Sequence, residues 1–116
     1  MDTVVVKSVD ERAVRRAMDG WAEALLASRP EIEEIVVFGS FAEGTWAPGS
    51  DLDVLIRLHS ADRSVRERIS ELMPARFPVP VDLFPFTTQE LAERAGSPIV
   101  AAAQRSRWRY RHRDRS

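Results

Sequence analysis

Apolar residues recur along the chain in two rhythms, and the switches between them mark out the elements. Val14, Met18, Trp21 and Leu25 fall at spacings of four, three and four, a stripe down one side of a helix. Ser8 and Glu11 have capping-box spacing and predict its start, and Pro30 its end. Ahead of it, Thr3 to Val6 is a short β-prone stretch. Ile35 to Phe38 is a β-branched and aromatic run stopped by Gly39, which predicts a strand. From Leu52 to about Leu58 the period drops to two. Leu52, Val54, Ile56 and Leu58 take one face of a strand, and Asp51 and Asp53 the other. A helix is expected from about Asp62 to Met73, with Val65, Ile69 and Leu72 inward and Arg63, Arg66, Glu67, Arg68 and Glu71 on a solvated face. Pro74 closes it. The run from Val79 to Pro85 predicts a third strand, with Val81 and Leu83 set against Asp82 and Phe84. Thr87 and Glu90 form a second capping box for a helix ending near Gly96. Ser97 and Pro98 restart a helix whose body is Ile99 to Gln104. The tail alternates arginine with other residues, which predicts an edge strand to about Arg111 with Trp108 and Tyr110 packed inward.

The 116 residues are expected to form one domain, 1–116, with its motif core at 36–84 and a C-terminal helix with an arginine-rich strand or tail at 98–116. A chain of this length buries roughly two-thirds of its unfolded surface, enough for one small sheet with helices. Net charge is −1, so the molecule as a whole has no strong attraction to nucleic acid. The average hides an asymmetry, because Arg105, Arg107, Arg109, Arg111, Arg113 and Arg115 crowd the C-terminus. Arginine interleaved with Trp108 and Tyr110 could contact RNA, but an edge strand blunted by long charged side chains is the first expectation. There are no cysteines, which excludes disulfides, thiolate metal sites and a cysteine nucleophile. No apolar run reaches membrane-spanning length and the N-terminus is acidic, so no membrane contact and a cytoplasmic location are expected.

Candidate chemistry concentrates between the first two strands. A Gly39-Ser40 pair at a strand end leaves backbone N–H groups uncovered. Glycine lets a phosphate approach the main chain, and the serine hydroxyl adds a donor. Ten residues later a Pro48-Gly49-Ser50 turn leads into Asp51 and Asp53. Two carboxylates about 7 Å apart on one strand face repel unless a cation lies between them. Oxygen-only ligands favour magnesium or manganese. Asp82 is a third acid in an apolar run, where a charge is costly unless it is paired, metal-bound or facing water. Trp46 either packs in its loop or stacks on a nucleotide base. His59 has no partner in sequence and reads as structural or exposed.

Gly39-Ser40, ten residues, Asp51-Leu52-Asp53 and then Val81-Asp82-Leu83 resemble the minimal nucleotidyltransferases of the DNA polymerase beta superfamily. The resemblance implies an α+β fold, a small mixed sheet with helices packed mainly on one face. It implies Asp51, Asp53 and Asp82 as catalytic residues and as ligands of two Mg²⁺ ions, Mn²⁺ being possible. It implies Gly39 and Ser40 as nucleotide-binding, and transfer of a nucleoside monophosphate from ATP or another NTP to a hydroxyl. Standalone members resemble antitoxins that transfer AMP to a tyrosine of a HEPN-domain toxin. A module that neutralises its partner by contact, and an aminoglycoside-type small-molecule transferase, are the alternatives. Many members carry a basic residue between the positions of Ala42 and Gly44, where this chain has Glu43.

Overall fold

The computed structural model describes residues 10–112. Thr3–Val6, Ser8 and the final arginines Arg113 and Arg115 lie outside the described residues. The alternating run becomes the centre of the molecule. In chain order the elements are α1 (Glu11–Ser28), β1 (Ile32–Phe38), α2 (Ser40–Glu43), β2 (Leu52–Leu58), α3 (Val65–Leu72), β3 (Val81–Thr87), α4 (Thr88–Glu93), α5 (Pro98–Arg105) and β4 (Trp108–Arg111). The strands lie in the order β3-β2-β1-β4. β1 is antiparallel to β2 and β4, whereas β2 and β3 run parallel. The fold is therefore α+β with a mixed four-stranded sheet. A hairpin joins β1 to β2, while the parallel step from β2 to β3 needs the α3 crossover.

The larger core lies on one face. Val14, Met18, Ala22 and Leu25 of α1 and Leu72 of α3 meet Ile35 and Val37 of β1, Leu52, Val54, Ile56 and Leu58 of β2, and Leu83 of β3. The stripe on α1 and the period of β2 both reach the core as the sequence reading expects, with Trp21 only partly buried against Phe77. On the opposite face a smaller cluster joins Val36, Phe38 and Leu55 to Ala103 of α5, with Phe84, Leu91 and Ala102 beside it. The short helices α4 and α5 thus cover part of the second face.

Local signals set most of the ends. Ser64 and Glu67 form a capping box at α3, and Thr87 and Glu90 another at α4. Ser97 caps α5 with Pro98 in its first turn. α1 departs from expectation: its cap is Asp10, whose carboxylate accepts from the amides of Arg12 and Ala13. β1 begins earlier than expected, at Ile32. The Pro85 within β3 is tolerated because β3 is an edge strand.

Two arginine readings are corrected. Arg68 is not on a solvated face. It is buried, with its guanidinium donating to the carbonyls of Arg63 and Pro85 and to both carboxylate oxygens of Glu90. It ties α3 to the start of α4, and the Arg68 hydrogen bond, with the Thr87 amide, pulls the Glu90 carboxyl down to about 2 against the opposing effect of burial. In β4, Trp108 and Tyr110 do pack toward the main core. Arg109 and Arg111, however, turn to the other face and close on buried Glu34 at 3.1 and 2.7 Å. Among the described residues, no helix is long and apolar enough to cross a membrane.

Candidate active site

The site begins where β1 stops. Gly39 has φ +79° and ψ −154°, a conformation essentially confined to glycine. A second constraint acts on the same residue. A Cβ built on Gly39 would sit 2.2 Å from Oδ2 of Asp53, so the turn and the acid lie against each other with no room for a side chain. The four-residue α2 follows at once, with Glu43 N–H donating to the Gly39 carbonyl at 3.0 Å. No side chain caps its first turn, so the amides after Gly39 are left for another acceptor. Ser40 is the first residue of that turn.

The acids come from two adjoining strands. In the β1–β2 hairpin Asp53 stands opposite Phe38, the residue before Gly39. In the parallel β2–β3 ladder Asp53 is the direct partner of Asp82. In-register neighbours in a parallel pair place their side chains on the same face, about 4.8 Å apart. That is the face of Leu55 and Phe84, also paired, and the tilted Phe38–Phe84 ring pair at 5.7 Å lies on it too. Asp51 is exposed and directly precedes β2. The turn ahead of it is fixed from both sides: Ser50 N–H donates to the Ala47 carbonyl, and Ala47 N–H donates to Ser50 Oγ, each at 2.9 Å. The amide of Leu52 then donates to the Pro80 carbonyl at 2.8 Å, docking the start of β2 beside the start of β3.

The electrostatics follow from this packing. Burial pushes the Asp53 carboxyl up to about 6, and the charges of Asp82 and Asp51 push the same way. Asp82 is also raised, by burial first, then by the Asp51 charge and a hydrogen bond with the Asp51 carboxyl. The three acids sense one another, and each gains from a positive charge placed among them. Among the described residues no three acidic, histidine or cysteine side chains are closed up around a metal position. Mutual repulsion of about 4 kcal/mol for unit charges at 4 Å in an intermediate dielectric opposes such closure by carboxylates alone. The donor chemistry fits a hard divalent cation: every candidate ligand is a carboxylate oxygen, and two of the three have their ionised form disfavoured.

A family model of the nucleotidyltransferase domain matches residues 20–97, the stretch that carries Gly39, Ser40 and all three acids. The chain belongs to the nucleotidyltransferase domain family. A crystal structure of a candidate nucleotidyltransferase from Sulfolobus solfataricus superposes with a TM-score of 0.57, covering 87% of this chain and 80% of that one at 20% identity. At that identity the likeness concerns the fold. No curated protein sequence matches the chain. Nucleotidyltransferase domains take a nucleoside triphosphate and generally use divalent metals.

Other residues of the nucleotidyltransferase find structural employment. Trp46 stacks on Phe41 with ring centroids 5.5 Å apart and planes 6° from parallel, so one of its faces is spent on packing. His59 is exposed, 3.6 Å from Glu33. The arginine-rich segment forms the expected edge strand, and two of its arginines, Arg109 and Arg111, share Glu34 as a partner. Only the fold supplies that partner, because Glu34 lies more than seventy residues away.

Proposed function

We propose that this nucleotidyltransferase transfers AMP from ATP to a tyrosine hydroxyl of a partner protein of the HEPN toxin class, acting as its antitoxin in the cytoplasm. The observation that carries the catalytic part is the in-register pair Asp53–Asp82 set against Gly39. Asp51, Asp53 and Asp82 are the residues that would hold Mg²⁺ or Mn²⁺. When bound, such ions neutralise charge on the attacking and leaving oxygens of an in-line displacement. Gly39, with no side chain, allows the triphosphate to approach the main chain, and Ser40 adds a hydroxyl donor. Asp53, half-buried against Gly39, fixes the edge of the pocket. Asp82 is exposed with its pKa raised, which suits it to take the acceptor proton on a carboxylate oxygen. The tyrosine oxygen forms its new bond to the α-phosphorus, the bond from that phosphorus to the α,β-bridging oxygen breaks, and pyrophosphate leaves.

The identity of the acceptor rests on the resemblance to minimal nucleotidyltransferases. It is supported by the open position of the acids, since Asp51 and Asp82 are both exposed and a protein hydroxyl can reach them. The test is incubation of the protein with α-labelled ATP, magnesium and a HEPN partner from the same genome. Label is expected on a partner tyrosine. Tight complex formation without label would favour neutralisation by contact, and label on an aminoglycoside without any partner protein would favour a small-molecule acceptor.

A further inference from the structure

The phosphate turn carries an acidic residue, Glu43, where a cation would help a triphosphate. The same residue lines a cleft of about 490 Å³ together with Gly39, Ala42, Ala102, Arg105, Ser106 and Arg107. The two arginines come from the junction of α5 and β4. Sequence separates them from the turn by more than sixty residues, and the fold brings them to its side. Both are exposed.

The junction that carries them is held rigidly. Ser106 Oγ donates to the Val37 carbonyl and accepts from the Trp108 amide. The Arg109 guanidinium donates to the carbonyls of Ala103, Gln104 and Ser106 at 2.8, 3.0 and 2.9 Å, closing the end of α5, and one of its nitrogens reaches Glu34. Across α2, Arg107 also lines a second cleft with Glu11, Arg15, Ala42, Glu43 and Trp108, and Arg15 there stacks over Trp108 at 4.1 Å. A corner fixed at six main-chain and side-chain points places Arg105 and Arg107 on the cleft beside the turn. α5 packs through Ala102 and Ala103 on Val36 and Phe38, the sheet face that also bears Asp53 and Asp82. Gly39 thus lies against Asp53 and also lines the cleft of Arg105 and Arg107.

We infer that Arg105 and Arg107 bind the distal phosphates of the nucleotide, supplying from the C-terminal segment the positive charge that Glu43 does not. The inference rests on the nucleotide-binding reading above and adds to it which residues grip the phosphates. The β- and γ-phosphates of a nucleotide held at Gly39 and Ser40 would extend along the Gly39–Glu43 turn into the arginine-lined cleft. Guanidinium groups suit this task because their planar donors bind phosphate oxygens two at a time.

The test is calorimetric titration of ATP, AMP and inorganic tripolyphosphate, each with magnesium, into wild type, Arg105→Gln/Arg107→Gln and Arg105→Lys/Arg107→Lys. Affinity for ATP and for tripolyphosphate is expected to fall roughly 10- to 100-fold in the glutamine variant, with AMP unchanged and much of the loss restored by lysine. ATP binding at wild-type strength in the glutamine variant would overturn the inference while leaving the nucleotide site standing. An equal loss for AMP and ATP would overturn it too, since the arginines would then act on something other than the distal phosphates. Failure of wild type to bind ATP at all would remove the underlying reading, and the inference with it.

Discussion

Two groups of acids share one face of the sheet and behave in opposite ways. At one end Glu34 is 4% exposed, yet it accepts from Arg109 and Arg111 at 3.1 and 2.7 Å, with Arg57 at 3.4 Å. Burial alone would raise its pKa, but the hydrogen bonds and charges of Arg111 and Arg109 outweigh it and the carboxyl is lowered. At the other end burial raises Asp53 first, its acid neighbours push the same way with no cation to oppose them, and its pKa rises to about 6. The difference lies in partners, not in depth. Where the protein needs an acid for architecture it surrounds it with guanidinium groups. Where acids share a site with no arginine acting on them, Asp53 and Asp82 are both raised and keep an unsatisfied preference for a cation, the property that marks candidate functional sites.

The comparison can be broken most forcefully at Asp53. Asp53→Asn is expected to lower nucleotidyl transfer by roughly a thousandfold or more, while the metal-free protein melts at a higher temperature than wild type, a gain of about 1 kcal/mol after discounting for solvent near the carboxyl. Transfer assays and thermal melts on the same preparation check both. A loss of activity with a loss of stability would move Asp53 into the structural class. Glu34→Ala should do the reverse, costing about 2–3 kcal/mol by leaving its arginines unpaired, with transfer by the folded fraction unchanged. Denaturant titration measures the first and an assay normalised to folded protein the second.

The pH dependence sharpens the same contrast. Glu90, held at about 2 by Arg68, contributes stability that is complete above its unfolded value near 4.5 and is lost as pH falls toward 2. Asp53 works in the other direction. Its folded pKa lies above its unfolded value of 3.8, so its contribution is present at low pH and fades as pH rises through 4 to 6. Wild-type stability in the absence of metal should climb from pH 2 to about 4.5, then sag toward 6. Asp53→Asn should shrink the sag, with raised Asp82 keeping part of it, and Arg68→Ala should reduce the climb, to which lowered Glu34 also contributes.

Much of this was legible in the residues because short-range rules produced it. The period-two run fixed which face of β2 meets the core and put Asp53 opposite it. The Ser97-Pro98 cap and the Thr87/Glu90 box marked helix starts with no tertiary information. Gly39 could be named as a turn residue, but its collision with Asp53 could not, since that depends on hairpin register. The pairing of Asp53 with Asp82 needed the parallel crossover through α3. Arg68 read as solvated because its helix face is mostly charged, and only the packing of α3 on β3 buries it beside Pro85 and Glu90. The alternation of the tail gave an edge strand with Trp108 and Tyr110 inward, but not the partner of Arg109 and Arg111, Glu34 of β1, which only the fold supplies.

The most direct test of the acid cluster is magnesium uptake in the presence of ATP, followed calorimetrically near pH 6 in two buffers of different ionisation enthalpy. Because burial and the neighbouring acids raise Asp53, cation binding is expected to release protons from wild type beyond those released when magnesium binds ATP alone. Asp53→Asn/Asp82→Asn should bind at least about tenfold more weakly and release fewer. Uptake of equal strength in both proteins, or none in wild type, would contradict the assignment of Asp51, Asp53 and Asp82 as the cation site.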